Sequence, residues 1–170
     1  MKYLINLIFI KITLMSLTIG QKAPNFNLPD QDKNMVSLES LKGKNVVLLF
    51  FPAAFTGVCT KEMCQTRDDL SFYNSMNATV LGISVDMSFS LAKFKEINGI
   101  TFPLLSDFNK EVSTAYGTIY DSFVMDMKGV SKRSAFVVDP NGKIAYVEVL
   151  ENAGEIPNFD AVKNCLVNLS

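Results

Sequence analysis

Six consecutive residues, Val46-Val-Leu-Leu-Phe-Phe51, are β-branched, apolar or aromatic, and they stand between Gly43-Lys-Asn45 and Pro52. A short run with no polar position reads as a strand buried on both faces. Such a strand needs covering layers above and below, which restricts the chain to layered α/β architectures. The residues that follow restrict it further. Pro52-Ala-Ala-Phe-Thr56-Gly-Val-Cys59 leads into residues 60–73, which favour a helix with Thr56 as its N-cap. Cys59 then falls in the first helical turn, where unpaired backbone N–H groups and the positive end of the helix dipole favour a thiolate. The thiolate is the nucleophilic form of cysteine.

A second strand is expected at Ala78–Val85 and a helix at Phe89–Asn98, with Phe89, Ala92, Phe94, Ile97 and the stem of Lys93 on its apolar face and Gly99 as its stop. Phe102–Leu105 reads as a strand and Lys110–Tyr116 as a short helix. Ala135–Val138 and Ile144–Val149 form an antiparallel hairpin about Asp139-Pro-Asn-Gly142, and a last helix covers Phe159–Leu169. Upstream, Pro24 and Leu28-Pro-Asp30 mark an extended region with turns. This order predicts a mixed sheet flanked by helices, in one domain over residues 16–170, without repeats or linkers.

Two readings stand for the apolar start, residues 1–15 and the few that follow. It is a signal segment opening on Lys2, or translation begins at Met15. Lys11 interrupts the run, no small-x-small cleavage site follows, and the uninterrupted stretch is too short to span a membrane. The second reading is preferred and carries a cytoplasmic expectation; the first would place the protein in the periplasm or outside the cell.

Composition narrows the chemistry. With 48% apolar residues and a net charge of −1, neither disorder nor a phosphate-binding surface is indicated, so nucleic acid is not an expected partner. The chain has no histidine. That removes Ser-His and Cys-His pairs and the commonest zinc ligand, so an activated Cys59 must rely on an arginine or on the helix end.

The spacing Pro52, Thr56, Cys59 resembles the Pro-x-x-x-Thr-x-x-Cys signature of the peroxiredoxins. Glu62 and Arg133 fall where that family carries an acidic residue and a peroxide-site arginine. Gly20-Gln-Lys-Ala-Pro24-Asn-Phe26, Phe102-Pro-Leu-Leu-Ser-Asp107 and Ala115-Tyr-Gly117 extend the resemblance over residues 16–168. The resemblance implies a thioredoxin-like fold and a thiol peroxidase needing no metal, haem or flavin. It implies that Cys59 attacks the peroxide and becomes a sulfenic acid. In the same scheme Thr56 and the Cys59 N–H orient the peroxide, Pro52 shields the sulfur, and Glu62 fixes Arg133. An arginine fork suits the task because it stabilises both the thiolate and the departing oxygen. Arg67, eight residues after Cys59, is a second arginine expected to support that site.

The resemblance further implies a thioredoxin-like electron donor and allows a homodimer. Cys64 is the candidate resolving thiol, as in the Cys-x-x-x-x-Cys subgroup; alternatively it packs as a small apolar side chain and Cys59 works alone. On an intact helix the two Cα atoms stand about 8 to 9 Å and about 140° apart, so a disulfide requires the helix start to unwind. Cys165 sits at apolar helical spacing and reads as core. Phe55, Val58 and Phe123 are candidates to admit an alkyl group. Two other function classes would use the same fold. A disulfide reductase would need Cys-x-x-Cys, which the chain lacks. A peroxide sensor relaying oxidation to a partner protein would keep the same pocket, so that alternative stays open.

Overall fold

In the computed structural model, which describes residues 17–170, the Val46 run lies in the middle of the molecule. Strand β3 (Asn45–Phe50) is buried at every position. It pairs in parallel with β4 (Ala78–Ser84) and antiparallel with β6 (Ser134–Val138). Strand β5 (Leu104–Ser106) joins the free side of β4, and β7 (Ile144–Val149) joins β6, giving the order β5-β4-β3-β6-β7. A small antiparallel ribbon, β1 (Asn27–Pro29) and β2 (Met35–Ser37), occupies the region expected only to be extended. Its turn is closed by Asp30, whose Oδ1 accepts the N–H groups of Asp32 at 2.8 Å and Asn34 at 2.9 Å.

Alternation along β3 sends its side chains into two cores. Val47 and Leu49 pack with Met63 of α1 (Gly57–Asp68), Tyr73 of α2 (Leu70–Ser75), Leu91 and Phe94 of α3 (Ser88–Asn98), and Val162 and Leu166 of α5 (Phe159–Leu169). Val46, Leu48 and Phe50 pack on the other face with Phe26, Leu28, Tyr116 and Val112 of α4 (Glu111–Ala115). The sheet is therefore mixed and covered on both faces, as the strand's composition demands. Helix α1 sits close to it because Gly82 of β4 has no side chain: a Cβ there would stand 2.6 Å from Leu104 Cδ2 and 3.3 Å from Met63 Sδ.

Two expectations are corrected. The helix predicted over 60–73 is two helices, broken at Asp69 (φ −90°, ψ 3°), whose carboxylate pairs with Lys163 at 2.7 Å. Helix α3 turns a rotated face inward: Phe94 fills the core as expected, but Phe89 and Ile97 are exposed and Leu91, outside the expected face, is buried beside Phe94. The apolar spacing of Phe89 and Ile97 was genuine, but the Leu91–Phe94 stripe docks on the sheet. Gly99 ends α3 in the left-handed region at φ +59°, as a C-cap glycine does. The apolar extension of residues 1–15 lies outside the described residues. No helix among the described residues is long and apolar enough to cross a membrane.

Candidate active site

The parallel strands β3 and β4 end side by side, and the connection after β3 is built on both ends. Phe51 N donates to Ile83 O at 3.0 Å. Asp86, just past β4, accepts the Ala54 N–H at 2.8 Å, with Ser84 Oγ donating to the same Asp86 oxygen at 2.8 Å. Between these anchors Pro52 is buried, and Phe55 is forced to φ +64°, a region that non-glycine residues avoid. Thr56 has the extended backbone of an N-cap, and its carbonyl accepts from Thr60 N at 2.9 Å. Its side chain does not cap the helix. The hydroxyl donates to Ala53 O at 3.0 Å instead, which leaves its lone pairs free to accept from a substrate O–H.

Cys59 follows in the first turn of α1 and is 1% exposed. Arg133 directly precedes β6, and the register that places Ser134 opposite Phe50 brings it to the same end of the sheet. Its Nη2 donates to Cys59 Sγ at 3.3 Å and to Ala153 O at 3.0 Å, while Nη1 donates to Glu62 Oε2. Both members of the Arg133–Glu62 pair are buried. Burial pushes the Glu62 carboxyl up to about 7, against the lowering pull of Arg133. Desolvation opposes the charge of Arg133, but Glu62 and Cys59 outweigh it and hold the guanidinium above its ordinary value. The acid thus orients the guanidinium without taking all of its charge, and positive potential remains at the sulfur. The other Glu62 oxygen, Oε1, is buried with no hydrogen-bond partner among the described residues.

A buried thiol at a helix N-terminus, one arginine nitrogen on its sulfur and another on a buried acid, suits attack on a small bond that leaves negative charge behind. The AhpC/TSA family model matches residues 19–147. The chain belongs to the AhpC/TSA family, and it is a peroxiredoxin. A Mycobacterium tuberculosis protein provisionally named a peroxiredoxin is 46% identical over 134 residues, 78% of this chain and 85% of its own. Alkyl hydroperoxide reductase E of Mycobacterium tuberculosis is 40% identical over 143 residues, 82% and 90% of the two chains. Among solved structures, the peroxidoxin BcpB of Mycobacterium tuberculosis superposes with a TM-score of 0.80 at 31% identity, covering 91% of this chain and 99% of that one. This peroxiredoxin therefore has the thioredoxin-like fold and is a thiol peroxidase.

The other two cysteines lie elsewhere. Cys64 is half-buried on the far side of α1, and all three cysteines are free thiols. Arg67, expected beside Cys59, is not there. Five residues from Cys59 to Cys64 turn the helix by about 140°, and a further three bring Arg67 back close to Cys64 rather than to Cys59. Its Nη1 donates to Cys64 Sγ at 3.7 Å. Cys165 packs beside the core from α5 and, with Ile19, Ile144 and Leu169, lines an apolar cavity of about 400 Å³; burial pushes its thiol up. Phe123 lines a cavity of about 300 Å³ with Tyr120, Val124 and Ala153. That cavity adjoins Arg133 through Ala153. Phe55, by contrast, is exposed and packs edge-on against Phe94 at 5.3 Å.

Residue type alone does not mark three contributors: Asp86 on the turn, Ala153 on the guanidinium, and Tyr120, whose hydroxyl donates to Glu151 O at 3.1 Å and so secures the segment carrying Ala153. Asp86 had one available signal, since loops at the carboxyl ends of parallel strands are where α/β folds build sites.

Proposed function

We propose that Cys59 is the peroxidatic nucleophile of this peroxiredoxin, acting on hydrogen peroxide and organic hydroperoxides. The Arg133 contact on Cys59 Sγ at 3.3 Å carries this reading. The Cys59 thiolate attacks one peroxide oxygen; the O–O bond breaks, a Cys59 sulfenic acid forms, and the other oxygen leaves with the bonding pair and is protonated to water or an alcohol. Arg133 faces the sulfur and the departing oxygen together. Preorganised donors of this kind cost no reorganisation when the charge moves. Thr56 Oγ accepts a hydrogen bond from the peroxide O–H, the Cys59 N–H donates to the peroxide, Pro52 keeps water from the sulfur, and Glu62 with Ala153 O holds the guanidinium in place.

Recycling runs through Cys64. After the first turns of α1 unwind, Cys64 displaces hydroxide from the sulfenic acid, and a thioredoxin-like dithiol reduces the resulting disulfide. The weakly held start of α1 supports this step: Thr56 gives no side-chain cap and Gly57 is exposed. A cytoplasmic location and a homodimer complete the proposal. Stopped-flow reduction of hydrogen peroxide tests it. The reduced protein should consume one equivalent rapidly, and Cys59→Ser should abolish that reaction while Cys165→Ser leaves it intact. Rapid consumption by Cys59→Ser would remove Cys59 from the role.

A further inference from the structure

Helix α1 carries a second cysteine–arginine contact that the peroxide-reducing step does not use. Arg67 Nη1 donates to Cys64 Sγ at 3.7 Å. The same nitrogen donates to Asn98 O at the end of α3, and Nε donates to Asp68 Oδ1 at 2.8 Å. The guanidinium is therefore tied both to its own helix and to a neighbouring one, and it presents one N–H to the sulfur.

We infer that Arg67 is a catalytic residue of the resolving step, holding the Cys64 thiolate ready at the fixed end of α1 while residues 57–63 unwind and bring Cys59 to it. This rests on the reading of Cys64 as the resolving thiol. In the step, the Cys64 thiolate attacks the Cys59 sulfur; the S–S bond forms, the S–O bond breaks, and hydroxide leaves and is protonated by solvent. The Cys64 sulfur is oxidised as the Cys59 sulfur is reduced, and no further oxidant is required. Only a thiolate attacks at a useful rate. The chain has no histidine to deprotonate Cys64, so a neighbouring cation is the available means of favouring its anion.

The two ends of the helix are held differently in a way that suits this division. At the start, Phe55 is in a strained conformation, and Phe55, Thr56 and Gly57 are exposed. At the end, Arg67 reaches Asn98 O, and Asp69 pairs with Lys163 of α5. The stationary partner is Cys64 and the moving one is Cys59.

A purely structural Arg67 would cap α3 through Asn98 O and leave the chemistry of Cys64 alone, so the test reads that chemistry directly. In a Cys59→Ser background, the pH dependence of Cys64 alkylation by iodoacetamide is followed by peptide mass spectrometry, with and without Arg67→Met. The expected result is a profile displaced to higher pH and a rate at neutral pH about tenfold lower, partly restored by Arg67→Lys. With Cys59 present, Arg67→Met should slow formation of the Cys59–Cys64 disulfide after one equivalent of peroxide by a similar factor. An unchanged alkylation profile, even with a lowered melting temperature, overturns the inference. If the profile moves but the unaltered protein never forms a Cys59–Cys64 disulfide, the resolver reading itself has failed, and the catalytic role of Arg67 falls with it.

Discussion

The two ends of α1 treat their cysteines in opposite ways. Cys59, at the start, is 1% exposed and meets an arginine 74 residues away in sequence, backed by a buried acid. Cys64 is half-buried and meets an arginine three residues on, whose Asp68 partner is exposed. The first sulfur is enclosed beside Arg133, which suits the peroxide proposed to react there. The second is more open, which suits the resolving role proposed for it. In the proposed scheme one helix holds a thiol for a peroxide at its start and a thiol for another sulfur at its pinned end.

The two ends of α1 should separate most sharply at Arg133. Arg133→Ala should slow peroxide reduction by about 10²- to 10³-fold, the usual cost of losing a preorganised donor to a developing oxyanion. Stopped-flow kinetics with hydrogen peroxide measures this, and a rate within a few-fold of the parent would remove Arg133 from the site. The same substitution should leave Cys64 alkylation nearly unchanged, which separates the two arginine contacts.

Glu62 gives the next largest effect, read in stability. Its carboxyl is raised from 4.5 to about 7 by burial, so between those values the folded state holds a proton that the unfolded chain has released. Stability therefore falls as pH rises from about 4.5 to about 7, by on the order of 3 kcal/mol from this group. Glu62→Gln should flatten that slope in denaturant titrations at a series of pH values. An equal slope in both proteins would show that the Arg133 end of α1 holds no proton-linked acid.

Thr56→Val should cost about tenfold in peroxide reduction, the worth of roughly one hydrogen bond to the substrate, with the melting temperature little altered because Thr56 does not cap α1. If the loss appears in stability instead, Thr56 is a structural residue. The smallest change is expected from Asp86→Asn. The amide can still accept from Ala54 N but does so without a charge, so a two- to fivefold loss, roughly 0.5 to 1 kcal/mol, is expected in the peroxide rate. A change in Cys64 alkylation instead would place the effect of Asp86 at the wrong end of the helix.

The sequence carries these two ends unequally. The start is local: a fully apolar strand, Pro52, Thr56 and Cys59 lie within eight residues, and their order alone locates a thiol at the mouth of a helix. Arg133 was reachable only through the family pattern, because nothing near Lys132-Arg133-Ser134 signals that the register of β6 on β3 carries it to Cys59. Ala153 and Asp86 contribute a backbone carbonyl and a turn anchor, roles that leave no mark in residue type. Arg67 shows the limit of counting: eight residues suggests a shared face, but the accumulated rotation of the helix brings it to Cys64. In α3 Phe94 docks as its apolar spacing predicts, whereas Phe89 and Ile97, which share that spacing, are exposed, and Leu91 joins Phe94 in the core. Periodicity finds a helix; the partner surface chooses among its apolar stripes.

In the proposed cycle oxidation begins at Cys59 and passes to Cys64. The most direct test is rapid-quench peptide mapping of the reduced protein after one equivalent of hydrogen peroxide. Sulfenic acid should appear first on Cys59 alone and then convert to a Cys59–Cys64 disulfide, with Cys165 still reduced. Oxygen appearing first on Cys64 or Cys165, with Cys59 untouched, would contradict the account.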